Sequence, residues 1–158
     1  MAENISKLAL GSANFGLDYG VANNSGKISE RELSEILSFA QEACIEVVDT
    51  AQAYGDSEER LGSICGDAHF NFVTKIGAEF ANESFDFNVI SSVKQSCRRL
   101  NQSRLYAVML HRPEVLLGNQ GREVVRELQT LKEKGIVTKV GVSIYSPEFL
   151  AALSKVFE

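Results

Sequence analysis

Val47-Val48-Asp49-Thr50-Ala51-Gln52-Ala53-Tyr54-Gly55-Asp56-Ser57-Glu58 is the stretch on which the fold turns. Two valines run into a carboxylate, a short Ala- and Gly-containing link brings a tyrosine, and an Asp/Ser/Glu cluster of helix-starting type follows. The order is strand, loop, helix. In parallel α/β folds the loops leaving the carboxyl ends of the strands hold the reactive groups, because the strand fixes the backbone while the loop is free to vary. Asp49 and Tyr54 stand at such an end. Alone, the pair is better read as a strand-ending carboxylate and a half-buried packing ring. It gains weight only because the pattern recurs along the chain.

Upstream, Lys7 to Gly11 is a short strand that opens into Ser12-Ala13-Asn14-Phe15-Gly16, where the glycines allow a tight exit. The connection that follows, through Gly20, Asn23, Asn24, Ser25 and Gly26, is long and so a candidate binding loop. Ser29-Glu30-Arg31-Glu32 is a capping box, and Leu33, Ile36, Leu37, Ala40 and Ala43 then give a helix one apolar face to lay on a sheet. Downstream, Asp56 to Gly62 begins a helix with acidic residues where its dipole favours them. Asn71 to Gly77 is a third strand, in which the Lys75 ammonium interrupts an apolar run and requires a carboxylate partner.

Val89, Val93, Cys97 and Leu100 mark the next helix, ending in Arg98-Arg99. Leu105 to Leu110 is nearly continuous apolar sequence, as a strand buried on both faces requires, and it stops at His111-Arg112-Pro113. Val124, Val125, Leu128 and Leu131 form a further helix stopped by Gly135, and Ile136 to Val142 form a fifth strand ending in Gly141-Val142-Ser143. Ser146-Pro147 opens the last helix, with Leu150, Leu153 and Val156 on one side. Strand alternates with helix, and no Asn-Gly hairpin joins two strands, so the sheet is parallel. Periodicity leaves two architectures open, a doubly wound sheet and part of an eight-stranded (β/α) barrel.

With 158 residues, 44% hydrophobic and 23% charged, the chain has the length and composition of one globular domain, taken as residues 1–158. A net charge of −5 offers no basic field for nucleic acid or an anionic bilayer. Met1 to Lys7 lacks the pattern of a secretory signal, and no apolar run approaches the ~20 residues of a membrane span. Cys44, Cys65 and Cys97 are odd in number and lack ligand spacing, so reduced thiols, no metal and a cytoplasmic protein are expected.

The usual nucleotide and hydrolase signals are missing. Nothing matches GxGxxG or GxSxG, and Ser25-Gly26-Lys27-Ile28 lacks the earlier glycine and the hydroxyl of a P-loop. Four polar residues remain, each at or just past a strand's carboxyl end: Asp49, Tyr54, Lys75 and His111. A free phenol, with a pKa near ~10, is a poor acid at neutral pH, and a neighbouring ammonium favours its phenolate. Asp49 would hold Lys75, and His111 could donate to a substrate oxygen beside the tyrosine. That is the equipment for polarising a ketone or aldehyde.

On Asp49-Thr50-Ala51, Tyr54-Gly55, Thr74-Lys75, Leu110-His111-Arg112-Pro113 and Gly141-Val142-Ser143, in this order, the chain resembles the aldo-keto reductase family from Leu10-Gly11 onward. The resemblance implies an α/β fold, the first five β/α units of a (β/α)8 TIM barrel. It also implies NADPH-dependent reduction of a small aldehyde or ketone to an alcohol, NADH being possible in its place. Hydride would come from the nicotinamide and the proton from Tyr54, with Asp49, Lys75 and His111 completing the catalytic set. Asp49 and Ser143 would touch the cofactor, although Ile144 stands where the family has an asparagine. Family loops after the seventh and eighth strands hold the pyrophosphate and adenosine 2′-phosphate, and this sequence stops within the helix after strand five. Hence open sheet edges, weak cofactor binding and self-association are expected, through inner-face side chains such as Val73, Val108 and Leu110. The alternative is a truncated, non-catalytic remnant or interaction module of the same fold.

Overall fold

Strand and helix alternate through the computed structural model, which describes residues 7–21, 23–65, 70–78 and 88–157. The elements are β1 (Ala9–Gly11), α1 (Ala13–Gly16), α2 (Glu30–Glu42), β2 (Val47–Asp49), α3 (Ser57–Ile64), β3 (Asn71–Ile76), α4 (Val89–Arg99), β4 (Leu105–Leu110), α5 (Glu114–Leu117), α6 (Gly121–Glu133), β5 (Val137–Val142) and α7 (Glu148–Phe157). Met1 to Ser6, most of the polar connection after Gly77, and the side chain of Val156 lie outside the described residues.

The five strands pair in parallel in the order β1-β2-β3-β4-β5. When each strand lies beside its predecessor, right-handed crossovers put every connecting helix on one face of the sheet. The helices accordingly form a single row, with α2 against α3, α3 against α4, α4 against α6 and α6 against α7. A doubly wound sheet would reverse its strand order and divide the helices between two faces. The α/β arc of a partial barrel is the architecture observed.

Local signals set the element ends. The Ser29 hydroxyl accepts from the Glu32 amide at 3.2 Å while the Glu32 carboxylate accepts from the Ser29 amide at 2.9 Å, closing the capping box of α2. Asn88 caps α4 through the Ser91 amide at 2.7 Å, and Gly135 turns left-handed (φ 67°) to end α6. Leu33, Leu37 and Ala40 are buried as the spacing predicts, whereas Ala43 sits past the end of α2 and is exposed. The one-turn helices α1 and α5 are additions, since four residues are too few to show a period. Asp56 precedes α3 without making a side-chain cap bond, and its carboxylate instead takes Lys27 at 2.8 Å.

Alternation along the strands separates two faces. Val48, Phe72, Thr74, Ile76, Val108 and Leu110 point under the helices, and none is more than 2% exposed. Asp49 pairs with Val73 and Val73 with Ala107, while Lys75 pairs with Met109 and Met109 with Gly141, so these six share the other face. Apart from buried Lys75 they are half-buried. Here the sequence reading needs correction: Val108 and Leu110 belong to the helix side, and of the three residues expected inside only Val73 is there. An unbroken apolar strand offers no alternation from which to tell its faces, and a one-residue step exchanges them.

Candidate active site

Asp49 ends β2, and Lys75 lies two residues beyond Asp49's neighbour Val73 on β3, so both side chains leave the same face at the carboxyl end of the sheet. The Lys75 ammonium donates to Asp49 Oδ1 at 2.8 Å, to Asp49 Oδ2 at 2.6 Å and to the Thr50 carbonyl at 3.1 Å. Its side chain is 9% exposed and that of Asp49 37%. A lone buried ammonium costs several kcal/mol, so the carboxylate is a structural necessity here. It is also an orienting device, because the three bonds use all three ammonium hydrogens.

The Tyr54 loop is held at each step. Thr50 N donates to Val73 O at 2.8 Å and Gln52 N to Lys75 O at 3.0 Å, which continues the β2–β3 ladder past the end of β2. The Gln52 amide group donates to Ser92 O and Ser96 Oγ, both at 2.9 Å, tying the loop to α4. Tyr54 N then donates to Ala51 O, and Ser57 N to Tyr54 O, each at 3.0 Å. Gly55 adopts φ 58°, a left-handed conformation that a side chain would resist. Across from it, a Cβ on Gly16 would fall 1.8 Å from Tyr54 O, and a Cβ on Gly55 would fall 2.3 Å from Gly16 O. The β1–α2 connection and the Tyr54 loop therefore meet backbone to backbone.

The Lys75 ammonium lies 5.1 Å from the centroid of the half-buried Tyr54 ring. The ring of His111 meets Tyr54 edge-on, with centroids 6.2 Å apart and planes at 90°. His111 is placed by its amide, which donates to Ile76 O at 2.9 Å, and Ser143 by its own, which donates to Leu110 O at 2.8 Å. So Asp49, Tyr54, Lys75 and His111 come together, with Ser143 at the same end of the neighbouring strand. Lys75 approaches Tyr54 across the ring face, its hydrogens directed at Asp49 and Thr50. A cation so placed faces the electron-rich surface of the ring.

A second set of polar residues beneath this cluster was not singled out in the sequence. Thr74 Oγ1 donates to the Glu58 carboxylate at 2.6 Å, and Glu58 is 1% exposed. Ser57 Oγ lies 3.0 Å from Ser12 Oγ and 3.2 Å from Thr50 Oγ1, all three residues being fully buried. Arg60, also buried, donates to the carbonyls of Phe15 and Ile28. Ser57, Glu58 and Arg60 belong to the beginning of α3, where such residues look like ordinary helix-start chemistry. Only the contacts reveal that they face inward.

A family model described as the Aldo/keto reductase family matches residues 7–157. D-arabinose 1-dehydrogenase of Saccharomyces cerevisiae is 32% identical over 161 residues, an alignment covering 96% of this chain and 46% of that protein. Among solved structures, a Pseudomonas aeruginosa protein described as a putative aldo-keto reductase aligns with a TM-score of 0.78 and 36% identity, over 96% of this chain and 61% of that one. An aldo-keto reductase of Klebsiella pneumoniae, solved with NADPH, shares the fold with a TM-score of 0.71 and 23% identity, over 96% and 50%. The chain thus spans about half the length of the relatives it matches.

Proposed function

The chain belongs to the aldo/keto reductase family, and from that premise we propose that it serves the NADPH-dependent reduction of a small aldehyde or ketone to an alcohol, with Tyr54 as proton donor. The observation that carries the reading is the Lys75 ammonium, bonded to Asp49 at 2.6 Å and lying 5.1 Å from the Tyr54 ring centroid. Tyr54 gives its phenolic proton to the carbonyl oxygen. The charge left on the ring faces the Lys75 ammonium, which Asp49 and the Thr50 carbonyl keep in place. His111, edge-on to Tyr54, donates a hydrogen bond to the same oxygen and so polarises the carbonyl before the proton moves.

NADPH, when bound, supplies the hydride for the carbonyl carbon, and NADH supplies the same chemistry. The donor set suits the nicotinamide end: the Asp49 carboxylate, 37% exposed, and the half-buried Ser143 offer an acceptor and a hydroxyl at one end of the sheet. Acid, cation and imidazole are thereby gathered around one ring. The free thiols Cys44, Cys65 and Cys97 suit a cytoplasmic setting, and the net charge of −5 suits neither nucleic acid nor an anionic membrane as partner. Among the described residues no helix is long and apolar enough to cross a membrane.

The half-buried inner face of the sheet favours a second reading, in which the chain is a non-catalytic interaction module that associates through that face. One experiment separates the two. The purified chain is mixed with NADPH and a panel of aldehydes, ketones and sugars, and cofactor oxidation is followed by absorbance while binding is followed by nicotinamide fluorescence. Turnover that depends on Tyr54 supports the reductase. Binding and turnover both absent, with a defined self-assembly by light scattering, would replace it with the module.

A further inference from the structure

We propose that Arg60 is a positioning residue for Tyr54, holding the β1–α2 connection in place as the wall behind the Tyr54 peptide. The inference rests on reading Tyr54 as the proton donor. Arg60 is 8% exposed, and among the described residues it has no carboxylate within salt-bridge distance. One terminal guanidinium nitrogen donates to Phe15 O and the other terminal nitrogen to Ile28 O, the latter at 2.8 Å. A buried cation whose side-chain hydrogen bonds, among the described residues, go to carbonyls is a costly way to fill space. Its two acceptors lie at the two ends of one loop, and Ile28 N closes that loop by donating to Asn14 O at 3.3 Å.

The loop so fastened is built from within. Asn23 Nδ2 donates to Asp18 Oδ1 at 3.2 Å, Tyr19 O at 3.1 Å and Gly26 O at 2.9 Å, while Asn23 Oδ1 accepts from the Ser25 and Gly26 amides at 3.0 and 3.1 Å. One side chain thus braces the loop interior, so a pull at its ends moves it as a unit. Phe15, whose carbonyl Arg60 holds, precedes Gly16, the residue in backbone contact with Tyr54 O and Ser57 N. Lys27 adds a rim contact to Asp56 at 2.8 Å. Arg60 stands six residues after Tyr54, on the helix α3 that follows the Tyr54 loop. The path from guanidinium to phenol is Arg60, Phe15–Gly16, Tyr54–Gly55, and every link is a hydrogen bond or a backbone contact.

The test combines amide hydrogen exchange with kinetics on the full chain, using Arg60→Ala and Arg60→Lys, each also combined with Tyr54→Phe. In the unsubstituted chain, residues 14–28 and 53–57 should open with the same protection factor. Arg60→Ala should raise exchange in both segments about tenfold or more, leaving β3 and β4 unchanged. Its kcat should fall about 10- to 100-fold with carbonyl KM within about twofold, as small misplacements of a reacting group do. That loss should vanish in the Tyr54→Phe background, a pattern that general destabilisation does not give. Arg60→Lys, which keeps the charge but not the fork, should show the same effects in smaller measure. Should Arg60→Ala not fold, the lysine variant and the common opening of the unsubstituted chain decide the matter. Unchanged protection at 53–57, or a kinetic loss undiminished without the Tyr54 hydroxyl, would overturn the proposal. A chain with coupled opening but no NADPH-dependent turnover would leave the clamp standing and remove the catalytic reading instead.

Discussion

The two faces of the sheet are made of the same kinds of residue and behave as opposites. Under the helices, Val48, Phe72, Ile76, Val108 and Leu110 are sealed, and even Thr74 is satisfied there by Glu58. On the other face Val73, Ala107, Met109 and Gly141 are half-buried, and the residues proposed for catalysis stand at the carboxyl end of that face. Stability is concentrated where helices supply partners. The residues proposed for catalysis are concentrated on the face that is less covered. The Lys75–Asp49 pair is the exception that joins the two, a charged contact made inside the chain at the border of the open face.

Separating these roles gives the largest expected effect. In a turnover assay Tyr54→Phe should remove about 10²- to 10⁴-fold of the rate, while nicotinamide fluorescence reports binding within about twofold of the parent and denaturant unfolding barely moves. Comparable loss of stability would mean that the ring is core and not chemistry. Next in size is a pair of neighbours on opposite faces. Leu110→Ala should cost about 2–5 kcal/mol in urea unfolding, because the helices above it cannot close the cavity, whereas Met109→Ala should cost less than about 1 kcal/mol. Equal costs would show that something covers the inner face.

A third test asks what the open face does in solution. Its apolar side chains and the outer position of β1 and β5 in the described sheet favour self-association, which light scattering should detect and Met109→Lys should reduce. A monomer at high protein concentration would assign the face to another partner. The smallest effect belongs to the rim. Lys27, by hydrogen bond and by charge, holds the Asp56 carboxyl below its usual range against a smaller opposing cost of burial. A carboxyl whose pKa is lowered on folding adds stability above its unfolded pKa of about 3.9, and loses it as pH falls through the lower folded value. Both groups are nearly half exposed, so Asp56→Asn should cost under about 1 kcal/mol at neutral pH. The difference should close at acid pH in paired unfolding titrations.

Much of this was legible along the chain. The capping box at Ser29, the Leu33/Leu37/Ala40 stripe and the left-handed stop at Gly135 are local devices, each complete within a few residues, and they appear in the structure as read. The demand of Lys75 for a carboxylate was also readable, since a charge inside an apolar strand has few ways to survive. The inward course of Ser57, Glu58 and Arg60 was not, because a hydroxyl or carboxylate at a helix start looks the same whether it faces water or a neighbouring strand.

By itself, then, the sequence determined the run of strands and longer helices, the parallel sheet and the set of polar residues at the strand ends, because period, capping and turn chemistry act over short spans. Which side of β4 meets the helices, how Lys75 addresses Tyr54 and what backs the Tyr54 loop were decided only by tertiary structure. Those properties belong to pairs of residues brought together from distant parts of the chain, such as Lys75 with Asp49, Arg60 with Phe15 and Gly16 with Gly55. Register and close packing, which no local pattern encodes, are what bring them into contact.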